Sequence, residues 1–413
     1  MLDLFKLHNR TEDVKPKSWI RAEGKDFSLE IRKIIRDIKC KGLSGRKIGY
    51  YLSKELGYKS PSRCSAIIHY ALKKDIPIPF PMVDELAKLY EKLYDMDNEK
   101  LKKRLCEKIE FLSLNVKNSD RIKVVKDLSE NLTKIIGAFA ADGNLLRKPY
   151  KNFGFSYRLL LEDEYKSSVN ALNKWFKDVF GISLCIRRNN KNNTWMICTW
   201  NKVIFRYFTE FFNFKSGSKV YSIDEPEMIK NSPLEIRKAF ACGVLTFDGS
   251  VGVDSNVELF IRSKNLAESI FRILRLSKAD PILNAKGNFY SVKCLASSDL
   301  LDFFEKQTNK WIRVRSLSSG FERGPKDFNE AKDVFKELFN KNNKILIILH
   351  TIRNLKSFSI IELTKTLNYK RRTLTTYINF FIRLNVIIKI ENFRYKFNND
   401  TIKWKIPSLS LVK

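Results

Sequence analysis

Asp142 and Asp248 occupy equivalent places in the chain, and their pairing suggests a reaction. Asp142 ends the apolar run Ile135-Ile136-Gly137-Ala138-Phe139-Ala140-Ala141 and precedes Gly143; Asp248 ends Ala241-Cys242-Gly243-Val244-Leu245-Thr246-Phe247 and precedes Gly249. Each run reads as a helix, so each carboxylate falls at the negative end of a helix dipole, which costs roughly a few tenths of a kcal/mol or more. A nearby cation would offset that cost. Mg²⁺ shared by Asp142 and Asp248 would do so, because it commonly takes one or two protein carboxylates and completes its shell with water and phosphate oxygens. The same arrangement suits phosphodiester hydrolysis, in which the metal activates water and stabilises the leaving oxygen.

The helices that carry these acids must approach closely. Gly137 and Ala141 lie one turn apart on one face, as do Gly243 and Phe247, and glycine removes the Cβ that keeps helix axes about 8–10 Å apart. Packing through Gly137 and Gly243 is therefore expected, with Gly143 and Gly249 free to take the left-handed conformation that stops a helix. A proline-containing linker, Ile223-Asp224-Glu225-Pro226-Glu227, and the segment Ser232-Pro233-Leu234-Glu235-Ile236-Arg237-Lys238-Ala239-Phe240 lead into the second run. On these motifs, residues 129 to 310 resemble the LAGLIDADG homing endonucleases in their two-motif, single-chain form. The resemblance implies metal-dependent cleavage of double-stranded DNA, with Asp142 and Asp248 as the metal-binding acids. Ala140 and Thr246 depart from that family, which often has another acid at this sixth motif position.

The material after each motif has a similar layout, as in an internal duplication. After the first come a strand over 153–161, a helix over 164–180, strands over 183–188 and 194–199 around the basic turn Asn189 to Asn193, and a helix over 202–212. After the second come a strand over 257–262, a helix over 265–276, strands over 281–285 and 289–295, and a helix over 298–306. The expected fold class is α+β. Two pseudo-symmetric αββαββα halves, 129–222 and 223–325, would form a saddle, and their internal twofold would let a monomer grip duplex DNA. Side chains alternate along strands, and Arg187, Arg188, Arg262 and Lys286 are the candidates to meet DNA there. Lys293 is a further catalytic candidate.

The flanks read as DNA-binding modules. Residues 1–26 are an N-terminal extension, 27–78 a helical helix-turn-helix domain, 79–128 a helical connector, and 326–413 a winged helix-turn-helix domain. In the first module Ser44 caps one helix and Ser60-Pro61-Ser62 starts the next, with Ala66, Ile67, Tyr70 and Ala71 toward the core and Arg63, His69 and Lys73 toward a major groove. In the last, Ser359-Ile360-Ile361-Glu362 is a capping box, Asn368-Tyr369 a turn, and strands over 386–391 and 394–397 form a hairpin joined at Asn392-Phe393. Lys370, Arg371 and Arg372 crowd a helix N-terminus against its dipole, a conflict that phosphate contact resolves. Residues 341–413 hold 15 Lys/Arg against 3 Asp/Glu.

The charge of the whole chain agrees: 413 residues carry a formal net charge of +31, which predicts salt-dependent attraction to a polyanion. No apolar run approaches the eighteen or so residues of a spanning helix and the N-terminus lacks a signal-peptide core, so a cytoplasmic protein without a membrane partner is expected. Seven scattered cysteines without a C-x-x-C pair argue against structural zinc or a disulfide framework. Three histidines leave little for a His-metal nuclease motif or a His-based triad. The chain has neither the Cys or Ser start nor the His-Asn end of an intein, so a free-standing, site-specific endonuclease is the leading expectation. The alternative is a catalytically inactive, LAGLIDADG-derived transcriptional regulator, although such regulators lose the acids that stand here. An RNA-splicing maturase on the same fold is a third possibility, with helix-turn-helix modules at both ends favouring duplex DNA.

Overall fold

Short strands, as well as helices, organise the N-terminal region. The computed structural model describes residues 2–7, 19–114, 121–149, 155–217, 223–252, 256–318, 343–383, 386–391 and 394–398. Strand β1 (Ile20–Glu23) is followed by α1 (Lys25–Cys40), α2 (Gly45–Glu55), α3 (Pro61–Lys73), β2 (Ile78–Pro79), α4 (Phe80–Tyr94), α5 (Asn98–Lys108), β3 (Phe111–Leu114) and β4 (Ile122–Lys123). The strands pair antiparallel in the order β2-β1-β3-β4. This sheet joins residues from the expected extension, helix-turn-helix domain and connector, so the connector is not purely helical. Strands of two to four residues carry too few alternations to give a period-two signal.

Helices α2 and α3 form a close pair. Ser44 accepts a hydrogen bond from the Lys47 amide at 3.3 Å and caps α2 as expected. The buried side of α3 is Cys64, Ile68 and Ala71, whereas Tyr70, expected in the core, is 54% exposed. The cause is the contact with α2: a Cβ on Gly49 would lie 2.0 Å from Ser65 Oγ, so α3 turns its Cys64–Ile68 side inward.

The centre contains the two halves. In the first, α6 (Glu130–Asp142) leads to β5 (Gly143–Pro149), β6 (Phe155–Asp163), α7 (Lys166–Phe180), β7 (Cys185–Asn189), β8 (Thr194–Thr199) and α8 (Lys202–Arg206), which continues as a π turn over Tyr207–Phe211. After α9 (Glu227–Lys230), the second half runs α10 (Leu234–Asp248), β9 (Gly249–Val251), β10 (Asn256–Ile261), α11 (Lys264–Leu276), β11 (Ile282–Lys286) and β12 (Phe289–Leu295), ending in a 3-10 turn over Ser298–Phe303. The antiparallel sheets have matching orders, β5-β6-β8-β7 and β9-β10-β12-β11. Strands β5 and β9, directly after the acids, supply the first strand of each expected αββαββα half, for which the sequence marked no separate range. Their sequences alternate poorly, and β9 has only three residues. Aromatic packing fills the first half, with Phe139 edge-on to Phe208 and Phe214, and Tyr207 edge-on to Phe180.

Helix α12 (Asn309–Ser318) follows the second half. The last described segment is α13 (Asn343–Arg353), β13 (Phe358–Ser359), α14 (Ile360–Leu367), α15 (Arg371–Arg383), β14 (Ile387–Glu391) and β15 (Arg394–Phe397), with sheet order β13-β15-β14. It has its own core, including Ile348, Ile352, Phe358, Leu363, Leu374 and Phe381. The capping box forms as expected: Ser359 Oγ accepts from the Glu362 amide at 3.2 Å, and the Glu362 carboxylate accepts from the Ser359 amide at 2.7 Å. Asn368, in the left-handed region at φ 52°, ends α14. The expected boundary at 325/326, the hairpin tip Asn392-Phe393 and the Arg372 side chain lie outside the described residues. Among the described residues no helix is long and apolar enough to cross a membrane.

Candidate active site

Helices α6 and α10 meet backbone to backbone. A Cβ on Gly137 would lie 2.0 Å from the Phe240 carbonyl oxygen and 3.1 Å from the Val244 nitrogen; one on Gly243 would lie 2.1 Å from the Lys134 carbonyl oxygen and 2.7 Å from the Ala138 nitrogen. In both directions the obstructing carbonyl stands three residues before the facing glycine and the nitrogen one residue after it. That reciprocity defines a local twofold axis between the helices.

Each helix delivers its terminal acid to the same region. Asp142, exposed, and Asp248, half-buried, both line a cavity of about 360 Å³ together with Asp163, Glu164, Lys310 and Arg313. Both also line a second cavity of about 430 Å³, bounded by Phe260, Arg262 and Phe289. The glycines after the acids are not left-handed: Gly143 has φ −79° and ψ 152°, and Gly249 has φ −66° and ψ 136°. Each helix passes straight into an extended strand. Space, rather than positive φ, selects glycine, since a Cβ would lie 2.1 Å from the Phe139 ring at Gly143 and 2.4 Å from the Leu245 carbonyl oxygen at Gly249.

Lys310, on α12, is a resident cation at this site that sequence reasoning missed. It is 6% exposed, its ammonium donates to the Phe247 carbonyl, and it lies 3.6 Å from Asp163 Oδ2. Burial depresses its pKa, while the charges of Asp163 and Asp248 oppose that shift. The negative end of α10 is thus partly compensated by the protein itself. Lys310 lies beyond the last repeated element, the helix expected over 298–306, so no repeat spacing marks it. Arg313 lines the same cavity; burial lowers its pKa, and Tyr165 opposes this.

Other expected site residues are more dispersed. Lys293, on β12, sits opposite Glu258 and lines neither cavity. Arg262 is exposed, lies 4.9 Å from the Phe289 ring and lines the larger cavity. Lys286 pairs with Glu258 at 3.3 Å and lies 4.8 Å from the Phe260 ring. Arg187 is opposite Met196 and Arg188 opposite Trp195, so these neighbours project to opposite faces and cannot share the concave side. On α3, Arg63, His69 and Lys73 are exposed. Arg63 donates to the Tyr58 hydroxyl at 3.2 Å, and His69 borders a groove of about 530 Å³ with Lys39, Arg46 and Tyr70. Lys370 and Arg371 are exposed at the start of α15.

Neither a protein-family model nor a curated protein sequence matches the chain. Among solved structures it is similar to the homing endonuclease I-DmoI in complex with DNA and Mn, at 15% identity and TM-score 0.33, over 41% of this chain and 90% of that one. It is similar to the homing endonuclease I-WcaI bound to its DNA recognition sequence, at 15% identity and TM-score 0.30, over 44% of this chain and 81% of that one. Full-length DUF199/WhiA from Thermatoga maritima is similar at 13% identity and TM-score 0.31, over 63% of this chain and 93% of that one.

Proposed function

We propose that the chain is a metal-dependent, site-specific double-strand DNA endonuclease of the LAGLIDADG homing type, acting as a monomer. The reciprocal crossing at Gly137 and Gly243 carries this reading, because it brings one acid from each motif to a shared cavity. Asp142 and Asp248 would hold Mg²⁺ or a similar divalent ion. Their hard oxygens suit it, and no three His, Cys, Asp or Glu side chains cluster as a metal site among the described residues, which leaves the remaining coordination to water and DNA phosphate. When bound, the ion activates water and neutralises charge on the leaving oxygen.

The chain's own residues orient this centre. Lys310 holds the carbonyl end of α10 beside Asp163 and so fixes where Asp248 is presented. Arg262, on the rim of the larger cavity, is placed to meet a phosphate. Helices α2 and α3 serve as a helix-turn-helix reader through Arg63, His69 and Lys73. The order α13-β13-α14-α15-β14-β15, with β15 between β13 and β14, supports the winged helix-turn-helix reading, in which Lys370, Arg371 and Arg372 contact the DNA backbone.

A second reading, a catalytically inactive DNA-binding regulator, is favoured by Lys310, a buried cation that lines the same cavity as Asp248. Incubating the protein with a duplex library and Mg²⁺, then sequencing broken ends, separates the two. The expected result is cleavage at one preferred site, lost with chelator and in Asp142→Asn or Asp248→Asn, with duplex retention maintained. Retention without broken ends would establish the regulator, and full cleavage by the double variant would remove the acids from the mechanism.

A further inference from the structure

Cys185 and Cys198 differ from the other cysteines. They are direct cross-strand partners on β7 and β8, so they project from the same face of the first sheet. Opposed residues of an antiparallel pair have Cα atoms about 4.5–5.5 Å apart, inside the roughly 4.4–6.8 Å that a disulfide spans. Their Cβ atoms need to close by only about 1 Å, and β7 is an edge strand bonded on one side only, so it can follow.

Access and electrostatics single out the same pair. Cys185 is exposed and Cys198 half-buried. Arg187 Nε donates to Cys185 Sγ at 3.4 Å, so a cation stands against this sulfur. By contrast, burial pushes the thiol pKa up to about 11 at Cys64 and Cys106 and to about 12 at Cys242 and Cys294. Those four cysteines are buried. Cys40, exposed on α1, provides an internal reference.

We propose that Cys185 and Cys198 form a modification site, a dithiol that hydrogen peroxide converts to a cross-strand disulfide and that small-molecule dithiols regenerate. The Cys185 thiolate attacks one peroxide oxygen, forming an S–O bond as the O–O bond breaks. The departing hydroxide takes a proton and leaves as water, and Cys185 becomes a sulfenic acid. Cys198 sulfur then attacks Cys185 sulfur, forming the S–S bond as the S–O bond breaks, and its thiol proton leaves with the hydroxide as a second water. The peroxide is reduced and the two thiols are oxidised. The inference is independent of the nuclease reading.

The test treats the reduced full-length protein with hydrogen peroxide, alkylates the remaining thiols and maps the peptides. The expected product is one disulfide-linked peptide pair containing Cys185 and Cys198, lighter by two hydrogen atoms and reversed by dithiothreitol, while Cys40 stays alkylated. A Cys198→Ser variant should instead accumulate a dimedone adduct at Cys185 above the level at Cys40. Equal alkylation of Cys185, Cys198 and Cys40 in the oxidised wild-type protein would overturn the proposal, as would a linkage of Cys185 to any other cysteine.

Discussion

Lys310 places one positive charge where two negative features meet, the carbonyl end of α10 and the Asp163 carboxylate. Taking away one partner of a buried pair strands the other, a loss of about 3–5 kcal/mol in typical cases. Asp163 retains the Tyr165 amide as a donor, which moderates the loss. Lys310→Met is therefore expected to lower the unfolding free energy by about 3 kcal/mol in urea titration. An unchanged midpoint and slope would mean that the ammonium is solvated and holds nothing. At the acids, Asp142→Asn and Asp248→Asn should each remove Mg²⁺-dependent strand breakage without removing duplex retention in a gel-shift assay, since the exposed cations Lys370 and Arg371 belong to another segment.

The α6 and α10 pair has no space for even one methyl group at its crossing. Overpacking commonly costs about 1–3 kcal/mol, and here the obstructing atoms are backbone, which cannot rotate away. Gly137→Ala and Gly243→Ala should each cost about 3 kcal/mol or more in the same titration. Gly45→Ala is the control, because the nearest atom to its Cβ would be the flexible Lys39 side chain at 3.7 Å. A crossing variant as stable as that control would show that the helices do not pack through their glycines. In the N-terminal region, Glu30 ties α1 to α5 through Arg104 at 2.7 Å and Lys108 at 2.5 Å. Burial alone would raise the Glu30 carboxyl pKa, but the Lys108 hydrogen bond and the Arg104 and Lys108 charges outweigh it and hold the group below its ordinary value of 4.5. A lowered folded pKa stabilises above the unfolded value, and that contribution fades as pH falls through the folded one. The stability gap between wild type and Glu30→Gln should thus be full above pH 4.5 and shrink below it. A gap independent of pH would remove the ion pairs from the account.

At the scale of the whole molecule the dominant property is charge. With 77 Lys/Arg against 46 Asp/Glu, duplex binding should weaken steeply with salt. Replacing Lys370, Arg371 and Arg372 with Ala should reduce the magnitude of the slope of log affinity against log salt by about 0.9 for each DNA phosphate left unneutralised. A slope equal to that of the parent would make the basic run a solvated face. The matching strand orders of the two sheets give the molecule its internal symmetry, while α12 and the flanking segments break it.

Features encoded locally were legible in the sequence itself. Glycine three residues into each apolar run, an acid at its end, the capping serines at 44 and 359 and the repeated layout depend on neighbours a few positions away, where helix periodicity and capping chemistry act directly. The tertiary structure decided the rest. Short strands drew the expected connector into a sheet, strand pairing set Arg187 opposite Met196 and Arg188 opposite Trp195, and close packing selected Gly143 and Gly249 in extended conformations. It also put Lys310 beside Asp163, with the adjacent Asn309 amide donating at 3.3 Å to Ser167, 142 residues earlier. Contacts at that separation depend on how whole elements pack, and side-chain spacing along the chain carries no record of them.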